Sequence, residues 1–238
     1  MTDASAQPEK PRPESPPAFR AAWRSPGAWA VLLGTTVLGL VVDLWTKYAA
    51  FEHVAGDPVR VVRSEVMQTE RLGTLLPPHA PIEVIPSVLN FTLVLNPGAV
   101  FGIGAGKRWI FVIFTLLAIG FAGWMFARWT AARDRWSHLA LGLLVSGGLG
   151  NLYDRVVYAC VRDFIHPLPG VKLPFGVTWP NGSDEVWPYV SNVADAFLIA
   201  AIVLLLAISF RKPPAMDEAN GVSAATGKSA AGKTSTGN

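Results

Sequence analysis

Four aspartates in this chain stand in or beside long apolar runs: Asp43 in "VVDLWTKYAA", Asp154 in "SGGLGNLYDRVV", Asp163 in "VRDFI" and Asp195 in "NVADAFLIAA". A carboxylate next to hydrocarbon is costly, so each needs a reason. Two carboxyl groups held close and partly desolvated cannot both ionise cheaply, and they come to share a proton. One member of such a pair can take a proton from water while the other polarises a carbonyl and later helps an amine to leave. That is the chemistry of peptide hydrolysis by two acids.

Each aspartate also has a plainer reading. Asp43 and Lys47 are i and i+4 on one helical face, the spacing of an interfacial ion pair with Lys47 reaching toward water. Asn192 and Asp195 have the spacing of a capping box, which satisfies a helix start and its dipole. Asp163 alone reads as a solvated loop acid. Asn151, Asp154 and Arg155, at i, i+3 and i+4, are harder to dismiss: three polar groups on one face of an apolar helix should point into the bundle or a wet cleft. The topology brings all four acids to one membrane face, and acids gathered there with amides and a cation between them point to a site.

The helices that carry these residues follow from composition. Of 238 residues, 51% are hydrophobic and 16% charged, and the mean hydropathy is +0.35, too apolar for a soluble domain of this size. The apolar residues concentrate in runs at 27–50, 109–129, 136–157 and 193–210, each near the roughly 20 residues a helix needs to cross about 30 Å of hydrocarbon. The runs lack the alternation of a barrel strand. The expected fold is therefore an all-α membrane protein of four transmembrane helices with a small extracytoplasmic β-rich segment. That segment is "IEVIPSVLNFTLVL", rich in β-branched and aromatic residues, its proline suiting an edge strand or a strand start. The first run is too long for the core of a cleaved signal peptide.

Arg20, Arg24, Arg128, Arg133, Arg135, Arg211 and Lys212 all fall on one side if the spans alternate, which puts both termini in the cytoplasm and the acids outside it. The net charge of +3 and pI near 9.2 thus report topology and anionic lipid, not nucleic acid. The chain divides into a disordered cytoplasmic tail at 1–25, a membrane domain at 26–212 and a second disordered tail at 213–238, both tails being low in apolar content. No internal repeat is visible. Cys160 is the one cysteine, so no internal disulfide forms, and it is expected at the outer surface just past the third span.

Competing chemistries fit poorly. "NPGAVFGIGAGK" fails the phosphate-loop spacing because Phe101 occupies the first glycine position and Arg108 replaces the Ser or Thr. His53, His79, His138 and His166 are scattered and form no zinc motif, so neither metal nor cofactor is expected. Nothing positions a histidine base for Cys160.

The ordered set "DLWTK", "NPGAVFG", "GGLGNLYDRV", "VRDF" and "NVADA", spread over 28–210, resembles lipoprotein signal peptidase, the type II signal peptidase of bacteria. The resemblance implies a monomeric aspartyl endopeptidase of the cytoplasmic (inner) membrane. Its partners would be membrane lipid and diacylglyceryl-modified prolipoproteins, cut just before the lipid-bearing cysteine. It implies a catalytic pair of Asp163 and Asp195, substrate contacts from Asn96 and Arg155, and bracing from Asp43, Lys47, Asn151, Asp154 and Asn192. The connections 51–81 and 166–191 are longer than the family requires. Intramembrane aspartyl proteases of the presenilin type share only Tyr153–Asp154 and lack a Gly-x-Gly-Asp partner here. A small ion-coupled transporter using Asp43, Lys47, Asp154 and Arg155 is the alternative. It leaves unexplained why the acids sit at one face instead of mid-membrane. A non-catalytic scaffold leaves the pair unexplained.

Overall fold

The computed structural model describes residues 21–98 and 108–210. The tails expected at 1–25 and 213–238 lie outside these residues, apart from 21–25, and so does "NPGAVFGIGAGK" beyond Gly98. Four long helices occupy the four apolar runs to within a few residues: α1 (Pro26–His53), α3 (Arg108–Trp129), α4 (Arg135–Val157) and α5 (Val193–Ser209), with a short α2 (Arg63–Gln68) in the first long connection. The starts of α1 and α4 have local causes. Ser25 caps α1 by accepting from the Ala28 N–H, with Pro26 at the first position. Asp134 caps α4 by accepting from the Ser137 N–H at 3.2 Å.

Two of the helices, Pro26–His53 and Trp109–Trp129, are long and apolar enough to cross a membrane. α5 is apolar but has 17 residues, and glycines and polar residues interrupt α4. The burial pattern explains the difference. α4 packs against α1, α3 and α5, and its polar groups Ser146, Asn151 and Asp154 are buried. Leu38 and Val41 on α1, Phe114 and Leu117 on α3, and Val203 and Leu206 on α5 are exposed. Polar inside and apolar outside is the arrangement expected of helices facing lipid. Glycine lets α4 approach its neighbours closely: a Cβ at Gly147 would lie 2.5 Å from the Ala194 carbonyl oxygen, and one at Gly150 would lie 2.3 Å from Asp43 Oδ2.

A three-stranded antiparallel sheet, β1 (Ile82–Ile85), β2 (Leu89–Asn96) and β3 (Val161–Pro167) in that order, is the expected β-rich segment with one strand more than the sequence indicated. Pro86 falls in the β1–β2 turn, where Ser87 takes a positive φ of 58°. "VRDFI" is therefore a strand and not a loop: its backbone pairs with β2 in the register Val94↔Asp163 and Asn96↔Val161. Leu93, Leu95, Cys160 and Phe164 bury against Ala50 and Phe51 of α1, which fixes the sheet to the end of the bundle. Cys160 is wholly buried in that cluster, correcting the expectation of a surface thiol, and burial pushes its thiol up to about 12.

The close packing of α4 on α5 makes Gly147→Ala an overpacking substitution. It should cost about 1–3 kcal/mol of stability in thermal unfolding of detergent-solubilised protein. Gly123→Ala, where a Cβ meets nothing within 4 Å, should change little. An unchanged melt for Gly147→Ala would contradict this packing.

Candidate active site

All nine residues singled out above lie at one end of the bundle, joined by short polar contacts. Lys47 is fully buried and does not reach toward water, because its ammonium is held inside: Asp43 Oδ2 lies at 2.9 Å and Asp154 Oδ2 at 3.4 Å, and it donates to Asn151 Oδ1 at 3.1 Å. Asp43 Oδ1 accepts from the Ala194 N–H at 2.8 Å and so ties α1 to the first turn of α5. Arg162, which the sequence reading did not single out, supplies the second buried cation. Its Nη2 and Nε donate to Asp154 Oδ1 at 2.8 and 3.2 Å, and its backbone N–H donates to Asp154 Oδ2 at 3.0 Å. The guanidinium lies 4.3 Å from the Tyr158 ring centroid. An arginine beside Asp163 and eight residues past Asp154 was the available signal, but its direction depends on strand register.

Asp163 and Asp195 arrive from different elements. Backbone bonds between Ile165 and Ser191, 2.8 Å in both directions, bind β3 to the residue just before Asn192 and so bring the two aspartates to one place. Asp163 is buried, its Oδ2 accepting from Asn96 Nδ2 at 3.0 Å and its Oδ1 from Asn192 Nδ2 at 2.6 Å. Asp195 is half-buried. The capping box is present, Asn192 Oδ1 accepting from the Asp195 N–H at 3.1 Å and Asp195 Oδ2 from the Asn192 N–H at 3.3 Å. The cap leaves Asp195 Oδ1 to accept from Asn151 Nδ2 at 2.7 Å, so the capping and site readings of Asp195 are compatible.

Asn151 has one possible orientation. Its Oδ1 receives both Lys47 Nζ and Asn192 Nδ2, each at 3.1 Å, so its amide nitrogen must face Asp195. Asn192 likewise bridges Asp163 and Asn151. Arg155 donates to the Asn151 carbonyl at 3.2 Å and lies 5.3 Å from the centroid of the Phe111 ring, with Asp195, Asp163 and Asp154 as the carboxylates within its electrostatic reach. Asn96 Oδ1 accepts from the Gly98 N–H at 2.8 Å, an Asx turn that aims its amide nitrogen at Asp163.

Burial pushes Asp163 up to about 7, and the negative charge of Asp195 adds to the rise; the amides of Asn96 and Asn192 oppose it. At neutral pH the two acids can therefore hold a single proton. Among the described residues no group of His, Cys, Asp and Glu side chains could hold a metal ion.

The signal peptidase II family model matches residues 35–211 of the chain. A lipoprotein signal peptidase of Desulfitobacterium hafniense (strain Y51) is 34% identical over 126 residues, 52% of this chain and 71% of that protein. The lipoprotein signal peptidase of Streptococcus pyogenes serotype M1 is 36% identical over 122 residues, 51% of this chain and 69% of its own. Two solved structures share the fold, both described as a bacterial membrane enzyme determined by the in meso method. The one at 2.3 Å resolution has a TM-score of 0.54 at 21% identity and covers 92% of this chain and 99% of its own. The one at 1.9 Å also has a TM-score of 0.54, at 25% identity, covering 77% and 95%.

The raised Asp163 has a consequence for stability. The folded protein takes up a proton at Asp163 between an ordinary value of 3.8 and about 7, so this contribution is full below about 4 and is lost as pH rises through 7. Asp163→Asn removes the titration. The stability of the variant relative to the parent, followed by thermal unfolding, should thus be more favourable at pH 8 than at pH 5, by on the order of 2–3 kcal/mol. The same difference at both pH values would contradict a raised Asp163.

Proposed function

The chain belongs to the signal peptidase II family, a family of membrane peptidases acting on prolipoproteins, and from that premise we propose that Asp163 and Asp195 form its catalytic pair. The substrate is a diacylglyceryl-modified prolipoprotein, cut immediately before the lipidated cysteine. The observation that carries the reading is the convergence of these two aspartates, one buried and one half-buried, on Asn192, which bonds both, with Asn96 held against Asp163 and Asn151 against Asp195. A pair with one proton between them, held at the more deeply buried Asp163, leaves Asp195 to draw a proton from the attacking water. Asp163 then donates to the scissile carbonyl, and the pair returns a proton to the leaving amine. Asn96 and Arg155 hold the substrate backbone. Asp43, Lys47, Asn151, Asp154 and Asn192 brace the pair.

The four long helices all cross the cytoplasmic membrane in this reading, α5 and α4 included, with the sheet and the pair at the extracytoplasmic face. Both termini are cytoplasmic. The support is the basic α3–α4 connection at the other end of the bundle, with Arg133 and Arg135. The protein acts as a monomer and needs no cofactor. The ion-path reading of the buried charges is not favoured: the family is a peptidase, and Lys47 is locked between two carboxylates and Arg162 against one of them instead of lining a path.

Two experiments test the proposal. Asp163→Asn and Asp195→Asn should each lower cleavage of a diacylglyceryl prolipoprotein by about 10²–10⁴-fold or more, and the double substitution should be little worse than either single one. Asp57→Asn and Asp184→Asn should stay active, and parent activity should fall as pH rises above about 7 and the pair loses its proton. Near-normal turnover by a well-folded Asp163→Asn or Asp195→Asn protein would sink the assignment. For orientation, Phe175→Cys, at a wholly exposed position in the second long connection, should react with an impermeant thiol reagent on intact cells, with buried Cys160 silent. Reaction only after the inner face is opened would reverse the topology.

A further inference from the structure

The other end of the bundle holds a second polar feature with no part in peptide cleavage. His138 lies one turn into α4, 16 residues before Asp154 and so about 24 Å from it along the helix. It is fully buried, and among the described residues neither ring nitrogen makes a hydrogen bond of good geometry. The Ala131 carbonyl and the Asp134 carboxylate are the polar groups near the ring, and one edge packs against Phe126 at 5.4 Å between centroids. Buried polar side chains are rarely left unpartnered. This one lines a cavity of about 510 Å³ with Ser25, Val31, Arg133 and Arg135.

The surroundings define what the cavity accepts. Arg133 and Arg135 bring two exposed guanidiniums, and the 28-residue α1 begins there with Ser25 as its cap, adding the positive end of its dipole. Asp134, the acid that acts on the ring, is already engaged: its two oxygens accept from the Ser137 N–H and hydroxyl. A neutral imidazole always carries one N–H donor. The site thus offers donors and positive charge to an anion. Its depth is marked by exposed Trp23, Trp29, Trp129 and Trp136 at the same end, which is where an aromatic belt meets the headgroup layer. The backbone seals this end, the Ala22 N–H donating to the Thr130 carbonyl at 3.0 Å.

We propose that this cavity binds the phosphodiester of an anionic phospholipid of the cytoplasmic leaflet, with His138 donating to a phosphate oxygen, Arg133 and Arg135 neutralising its charge, and Val31 meeting the start of an acyl chain. The inference rests on the membrane orientation above but not on the peptidase mechanism, and lipid retention is read independently of cleavage.

The test titrates delipidated full-length protein in neutral detergent with palmitoyl-oleoyl phosphatidylglycerol, palmitoyl-oleoyl phosphatidylcholine or inorganic phosphate, counting bound molecules by native mass spectrometry. One phosphatidylglycerol should bind at least tenfold tighter than phosphatidylcholine. Each of Arg133→Gln and Arg135→Gln should weaken it about fivefold, and the pair about 25-fold, with cleavage in detergent unchanged. His138→Phe, which keeps the ring contact with Phe126, should weaken phosphatidylglycerol binding without lowering the melting temperature. Equal retention of the two lipids, or parent-like binding by the double arginine variant, overturns the proposal. Displacement of phosphatidylglycerol by millimolar inorganic phosphate would assign the cavity to a free anion and overturn the lipid. If His138→Phe fails to fold, the surface arginine variants decide.

Discussion

The Lys47 ammonium, sealed between Asp43 and Asp154, is the contact on which the rest of the site depends. A charge in the interior is tolerated only when paired and hydrogen-bonded, and removing one partner of such a pair costs about 3–5 kcal/mol. Here the pairing extends outward until it is closed. Asp43 spends its other oxygen on the Ala194 N–H, and Asp154 spends its own on Arg162. The formal charges of Asp43, Lys47, Asp154 and Arg162 sum to zero. Three helices and one strand are thereby fixed to one another at the level of the site, and Gly150 is the residue that makes room for Asp43 against α4.

That neutral set determines what the remaining three charges can do. Asp163, Asp195 and Arg155 would carry a net negative charge if both acids were ionised, and a single shared proton removes it. The raised Asp163 is the local expression of this balance. Asn151 and Asn192 join the two groups, since Asn151 touches Lys47 on one side and Asp195 on the other and Asn192 touches Asp163. The carboxylate at the start of α5 is therefore both its cap and, in the proposed mechanism, half of the reacting pair.

Much of this was legible in sequence because it is local. The four apolar runs, the Asn192–Asp195 cap and the inward face of Asn151 and Asp154 follow from spacing within a single helix. What was not legible depends on partners far away in the chain. Lys47 reads as an interfacial residue until α4, more than 100 positions later, presents Asn151 and Asp154 to it. Asp163 and Arg162 read as loop residues because pairing with β2 sets their strand, and Arg162 points inward only through that register. Cys160 reads as exposed because nothing in its neighbours announces Ala50 and Phe51, more than 100 positions earlier. His138 reads as one of four scattered histidines, and its isolation appears only when the helix ends are assembled around it.

In the proposed mechanism Asp163 and Asp195 address one reacting carbon between them. A structure of the protein bound to a lipopeptide whose scissile amide is replaced by a hydroxyl-bearing isostere tests it most directly, because that hydroxyl stands where the tetrahedral oxygen would form. The hydroxyl should lie within hydrogen-bond reach, roughly 2.5–3.0 Å, of one oxygen from each aspartate. A ligand that seats its isostere against only one of them, or against the Asp43–Lys47–Asp154 set, would contradict it.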